Sequence, residues 1–232
     1  MTRFRVIDFE TSGWPPAASV CEVGFTDVTW TSAEDAVIHP SVSLICKPSH
    51  LIDIEAMAVH GITEEMVKDK PSHRVALDKM LEHANQKGVD VWVAHHNEFE
   101  RKFFNPTGAK WICTYKSALS IWPEAPKHTN AVLMYYLGLH DRIPEELRTP
   151  LHRAGPDTYV TAHILVEALK KRSLESLLEA TQAPVIMQTV PFGKHKGKKW
   201  SDVPRDYLQW LLSQPTVQPD VRSTCEHYLR QR

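Results

Sequence analysis

Two carboxylates stand near the start of the chain, Asp8 and Glu10, in the run Val6-Ile7-Asp8-Phe9-Glu10-Thr11. Side chains alternate along a strand, so both acids leave one face while Ile7 and Phe9 leave the other. Like charges at the end of an apolar strand repel, and they need a cation or strong donors to be tolerated. Mg²⁺ takes oxygen ligands, commonly one or two carboxylates plus substrate phosphate, so the pair is a candidate metal seat. A solvated edge strand with two surface acids fits the same spacing.

A second cluster, Ala94-His95-His96-Asn97-Glu98-Phe99-Glu100-Arg101, runs from a strand end into an expected helix start. Acids in a first helical turn are favoured by the helix dipole, which accounts for Glu98 and Glu100 without any chemistry. The adjacent histidines lack the spacing of a zinc ligand pair. A third cluster is His152-Arg153-Ala154-Gly155-Pro156-Asp157. Proline fits only the first helical turn, so Asp157 is expected at a helix start, with Gly155 leaving the loop before it mobile. A histidine on such a loop, beside acids, can take a proton from water near neutral pH. The competing reading is a surface histidine with no role.

These residues need elements to hold them. Short β-branched and aromatic runs predict strands over 4–9, 20–28, 42–46, 89–94 and 111–113. Pro71-Ser72 opens a helix whose apolar face is Leu77, Met80, Leu81 and Ala84. Further helices are expected from Glu98 to Phe104, over 114–121 and 130–137, from about Asp157 onward, and over 174–180; 138–156 reads as loop. Residues 181–188 are the best linker, dividing a domain over 1–182 from a small module over 189–232.

The chain has 232 residues, 42% hydrophobic and 24% charged, which excludes disordered and collagenous classes. No apolar run reaches the ~18 residues of a spanning helix, and the N-terminus has no signal-peptide pattern, so no membrane partner is expected. Four scattered cysteines without a CxxC fit a reducing cytoplasm. Net charge is −1, but from Ile186 onward eight Lys/Arg face four Asp/Glu, while nineteen face twenty-four before it. An acidic body with a basic tail suggests a polyanionic partner. Within the tail, Phe192-Gly193-Lys194-His195-Lys196-Gly197-Lys198-Lys199-Trp200 alternates cations with glycines and ends on an aromatic. It reads as a phosphate grip with a stacking face, or as a solvated hairpin turn. Tyr207, Leu208, Leu211 and Leu212 share a helix face suited to a small core.

Asp8-Phe9-Glu10-Thr11-Ser12-Gly13, Ala94-His95 through Phe99-Glu100, and His152-x₄-Asp157, in that order, resemble the DEDDh (DnaQ-like) 3′–5′ exonucleases. Ile52-x₃-Ala56-x₂-Val59-His60-Gly61-Ile62-Thr63 is similar to another segment of that family, and the tail resembles the C-terminal module of one of its members. The resemblance implies an α/β, RNase H-like fold: a central mixed five-stranded sheet flanked by helices, plus the small C-terminal basic module. It implies hydrolysis of DNA 3′ ends, single-stranded or duplex, to nucleoside 5′-monophosphates. Two Mg²⁺ ions, with Mn²⁺ as substitute, would sit about 4 Å apart. Asp8 would bridge both, Glu10 and Asp157 would complete one site, Glu100 would support the other through water, and His152 would deprotonate the attacking water. Thr11, Ser12 and Gly13 would offer donors to the terminal nucleotide, Trp14 would stack on or wedge under its base, and His60 would touch its sugar or support the site. Lys194, Lys196, Lys198 and Lys199 would grip phosphates. The family normally has Asp at Glu100 and Asn at His96; the longer Glu side chain puts activity or metal preference in question. Rival readings are an RNA-directed exonuclease of the same superfamily and a non-catalytic nucleic-acid-binding or polymerase-associated subunit.

Overall fold

The structure is a computed structural model that describes residues 1–231. The chain divides into two compact units, Met1–Thr181 and Gln182–Arg232. The first is built on strands β1 (Thr2–Thr11), β2 (Val20–Trp30), β3 (Ala36–Ile38), β4 (Val42–Ile45), β5 (Val91–Ala94) and β6 (Trp111–Cys113). Its helices are α1 (Ile54–His60), α2 (Glu64–Val67), α3 (His73–Lys87), α4 (Thr114–Ile121), α5 (Asn130–Tyr136), α6 (Glu145–Arg148), α7 (Ala154–Leu169) and α8 (Leu174–Gln182).

The sheet order is β3-β2-β1-β5-β6, with β4 also on β2. β2 pairs antiparallel with β1, β3 and β4, while β1–β5 and β5–β6 are parallel. Six strands replace the five expected, for a simple reason. β2 is 11 residues long, and its outer edge is shared by two short strands, β3 beside Val28–Trp30 and β4 beside Glu22–Phe25. Five strand positions remain. The three-residue β3 is too short to carry a periodic signal.

Alternation along β1 sorts its side chains between two cores. Phe4 and Val6 pack with Val160, Ile164 and Leu165 of α7. Ile7 and Phe9 pack with Ala76, Met80 and Ala84 of α3. Asp8 and Glu10 therefore continue the α7 face just where its apolar side chains stop.

Two expected elements differ. No helix runs from Glu98 to Phe104; a turn leads into one 3₁₀ turn, Glu100–Lys102. His96 sits in the left-handed region at φ 72°, in the turn between β5 and this segment. Helix α7 begins at Ala154 rather than near Asp157, so Gly155 and Pro156 lie in its first turn. Gly155 is buried against Ser43 rather than loosening a loop, and a Cβ on Gly24 would overlap the Ala154 backbone. The stretch expected as loop also holds a 3₁₀ turn, Leu139–Asp141, and α6.

The second unit has α9 (Arg205–Ser213) and α10 (Pro219–Arg230) around Val190, Trp200, Val203, Leu208, Leu211, Val221 and Cys225. Trp200 is fully buried and donates its indole N–H to the Thr189 carbonyl at 3.0 Å. It is the centre of this small core and not the stacking face expected from the lysine run. Among the described residues no helix is long and apolar enough to cross a membrane.

Candidate active site

Strand β1 delivers Asp8 and Glu10, and the first turn of α7 delivers Asp157. One carboxylate oxygen from each lies within 4.8 Å of the others. Glu100 comes from the 3₁₀ turn after β5; it is 3% exposed, and its Oε2 has no hydrogen-bond partner among the described residues. Glu98, the other glutamate of that segment, is exposed and pairs with Lys116 at 3.3 Å.

The electrostatics match this crowding. Burial, then Glu10, Asp157, Glu100 and Glu22, push the Asp8 carboxyl well above its usual range. Burial, with Asp157 and Glu22, raises Glu10 to about 8. Burial, with Glu10 adding to it, raises Glu100 to about 8. Asp157 is pushed up to about 6 by burial, eased by the His152 ring and backbone N–H. An oxygen-only donor set, short of positive charge and holding one orphaned carboxylate oxygen, suits a hard divalent cation.

Glu22 shows what a compensated acid looks like. It faces Glu10 across the β1–β2 ladder and is fully buried. Arg153 grips it through Nε at 2.9 Å and Nη2 at 2.7 Å, the Ala154 N–H donates to it at 3.0 Å, and the Ser43 hydroxyl donates as well. Burial opposes its charge, yet these donors hold its pKa below the usual value. The clamp ties the start of α7, and with it His152 and Asp157, to β2. His152 itself is exposed at φ 57°. Neither Glu22 nor Arg153 was singled out from sequence. The available signal was one acid inside the apolar run Val20-Cys21-Glu22-Val23-Gly24-Phe25.

Beside Glu10 lies a cleft of about 290 Å³ lined by Thr11, Gly13, Trp14, His60 and Phe99 among others. Trp14 is 77% exposed and meets Phe99 edge-on at 5.8 Å. The Thr11 hydroxyl donates to the Gly13 carbonyl, the Ser12 N–H to the Ser19 carbonyl, and the Ser12 hydroxyl accepts from the Ser19 N–H. These bonds build the turn; the Ser12 hydroxyl accepts here and keeps its own hydrogen to donate. At Gly13 a Cβ would collide with the Asp53 carboxylate. His60 ends α1 and is buried; its Nε2 donates to the Thr11 carbonyl at 3.2 Å and its Nδ1 accepts from the Ile62 N–H at 3.0 Å. Both nitrogens are occupied, so it props the turn and has none left for a sugar. His95 is likewise engaged, with Thr114 and the His128 carbonyl, and His96 stacks on Tyr115 at 3.7 Å. Lys194, Lys196, Lys198 and Lys199 are all exposed on the second unit.

The class the chain falls in is the exonucleases. The exonuclease family model RNase_T matches residues 6–165, and the chain belongs to that exonuclease family. A second family model, QSregVF_b, whose description names a quorum-sensing-regulated virulence factor, matches residues 178–218. The chain is 34% identical over 231 residues to Exodeoxyribonuclease 10 of Escherichia coli (strain K12), covering 97% of this chain and 98% of that protein. It is also similar to the solved structure "Exonuclease X in complex with 5′ overhanging duplex DNA", with a TM-score of 0.62, 30% identity, and 77% and 99% of the two chains covered. The fold alone is shared with the nuclease domain of 3′hExo, a DEDDh family member solved with rAMP, at a TM-score of 0.56 and 17% identity over 73% of this chain and 92% of that one.

Proposed function

We propose that the chain is a divalent-metal-dependent 3′–5′ exodeoxyribonuclease that releases nucleoside 5′-monophosphates. The observation that carries this is the convergence of Asp8, Glu10 and Asp157, with oxygens within 4.8 Å of one another and buried Glu100 beside them. DNA as substrate is supported by the relative named Exodeoxyribonuclease 10 and by the neighbour solved on duplex DNA.

Asp8, Glu10 and Asp157 would hold Mg²⁺ or Mn²⁺, with Glu100 completing the shell through water. The ions supply charge stabilisation for the attacking and leaving oxygens of an in-line displacement. The chain supplies position and proton transfer. His152, on the segment clamped by Glu22 and Arg153, takes the proton of the attacking water on its ring. The new P–O bond forms as the bond to the 3′ oxygen of the preceding nucleotide breaks, and that oxygen takes a proton from solvent water and leaves as a hydroxyl. Phe99 and Trp14 wall the cleft beside Glu10, where the terminal base is held by stacking. Residues 1–182 are the catalytic domain and 189–232 a nucleic-acid-binding module in which Lys194, Lys196, Lys198 and Lys199 meet phosphates.

The test is digestion of matched single-stranded DNA and RNA, each labelled at the 5′ end, with Mg²⁺ or Mn²⁺ and with EDTA. The expected result is a ladder shortening from the 3′ end of DNA, 5′-mononucleotide products, and no reaction in EDTA. Faster digestion of RNA would move the chain to an RNA exonuclease. No digestion of either strand with either ion would make it a binding subunit.

A further inference from the structure

We infer that the C-terminal unit carries its own seat for an unpaired DNA strand, a Tyr207–Trp210 stacking face rimmed by the lysines of the 193–199 turn. This rests on the reading of the chain as a DNA enzyme but concerns a different place from the carboxylate cluster. Helix α9 gives Leu208 and Leu211 to the core of the unit. Trp210 points elsewhere: it is 52% exposed, although an indole left in water forgoes most of its burial free energy. Tyr207 and Trp210, three residues apart, share one helix face. Their rings are in tilted contact, 5.3 Å apart at 31°, so Tyr207, half-buried against the core, braces the exposed indole.

The basic turn is fastened to that surface. The His195 ring meets Tyr207 edge-on at 4.6 Å, and its buried Nδ1 has no hydrogen-bond partner among the described residues. Gly193, at φ 66°, approaches so closely that a Cβ there would lie 2.9 Å from the Tyr207 hydroxyl. Lys194 follows Gly193 directly in this turn, and Lys194, Lys196, Lys198 and Lys199 are all exposed on it. Residues 182–232 hold eight Lys/Arg against four Asp/Glu, so the whole unit is drawn to a polyanion. Lysines recognise phosphates with either strandedness, but an exposed indole can stack only on a base that is free of its partner. The combination selects single-stranded DNA and is indifferent to its sequence.

The experiment uses the full chain in EDTA and a closed circular oligothymidylate, which offers no 3′ end. Binding is read by fluorescence anisotropy against a closed duplex of the same length, with thermal unfolding as the check that each variant folds. The expected result is preference for the single-stranded circle, loss of about tenfold in affinity for Trp210→Ala, and retention of most of it for Trp210→Phe. Lys194→Gln should reduce the slope of log K against log salt by about 0.7. Equal circle affinity for wild type and Trp210→Ala, equal binding of the duplex, or no binding of the circle would overturn the seat. A chain that binds the circle through Trp210 yet digests no linear DNA keeps this seat and loses the catalytic reading; the reverse result separates them in the other direction.

Discussion

Glu10 and Glu22 face each other across two hydrogen-bonded strands, yet they live in opposite electrostatic worlds. Glu22 has its counter-charge built in: Arg153 and the Ala154 N–H hold it ionised inside the protein. Glu10 has Asp8, Asp157 and Glu100 for company, and its carboxyl is pushed up to about 8 by burial and by Asp157. One buried glutamate satisfied so fully beside neighbours left unsatisfied is what the proposed cation seat requires. The difference separates a structural acid from a proposed metal ligand by partners, with residue type held constant. Removing an acid from the cluster should cost activity and spare the fold, whereas removing Glu22 should cost the fold first.

The largest effect is expected at Asp8. Asp8→Asn or Asp157→Asn should lower the hydrolysis rate on the order of 10³-fold, the several kcal/mol that metal-assisted charge stabilisation supplies. Metal-free Asp8→Asn should also melt higher than wild type, because repulsion is relieved. Full activity with Mg²⁺ would erase the distinction between the two glutamates. His152→Ala should reduce kcat about 10²-fold with KM nearly unchanged, as expected for loss of a general base. A rise in KM alone would make His152 a binding residue.

On the other side of the comparison, Glu22→Ala strands Arg153 and the Ala154 N–H, and should cost about 3 kcal/mol in urea unfolding at neutral pH. A variant as stable as wild type would mean the clamp is ornamental. The pH profile sharpens the contrast. Glu10 and Glu100 carry raised pKa values, so the folded chain keeps protons that the unfolded chain releases above about pH 4.5. Metal-free stability is therefore fullest below that value and falls as pH rises toward 8. Glu22 behaves oppositely: its lowered pKa stabilises the fold above the ordinary value, and that stability is lost only on acidification. Melting of metal-free protein should drop between pH 5 and 8, and Mn²⁺ should restore it most at pH 8. A flat profile with no cation response would contradict the raised values. The smallest effect is at Glu98, whose exposed pair with Lys116 predicts a change below about 1 kcal/mol and unaltered activity for Glu98→Gln.

Sequence reading reached the acids because a strand has period two: once Val6 and Ile7 are assigned to opposite faces, Asp8 and Glu10 must share one. The helical repeat of apolar residues in the same way placed the apolar face of α3. It failed where backbone conformation, not side-chain pattern, decides. A turn at 95–99 and a single 3₁₀ turn leave Glu100 buried while Glu98 stays in solvent, so local spacing alone could not choose between those two acids. Glu22 was invisible because its partner lies 131 residues away in sequence. Trp200 was misread because a nine-residue run of lysines and glycines says nothing about which ring a small unit needs at its centre, and Trp210, the exposed ring, lies outside that run.

Three carboxylates from β1 and α7 are proposed to form one cation seat. Anomalous scattering from a crystal soaked in Mn²⁺ tests it most directly. The account predicts a peak about 2.1 Å from oxygens of Asp8, Glu10 and Asp157, and no such peak in the Asp8→Asn protein. A saturated crystal with no peak between those side chains, or with its metal bound elsewhere, would contradict it.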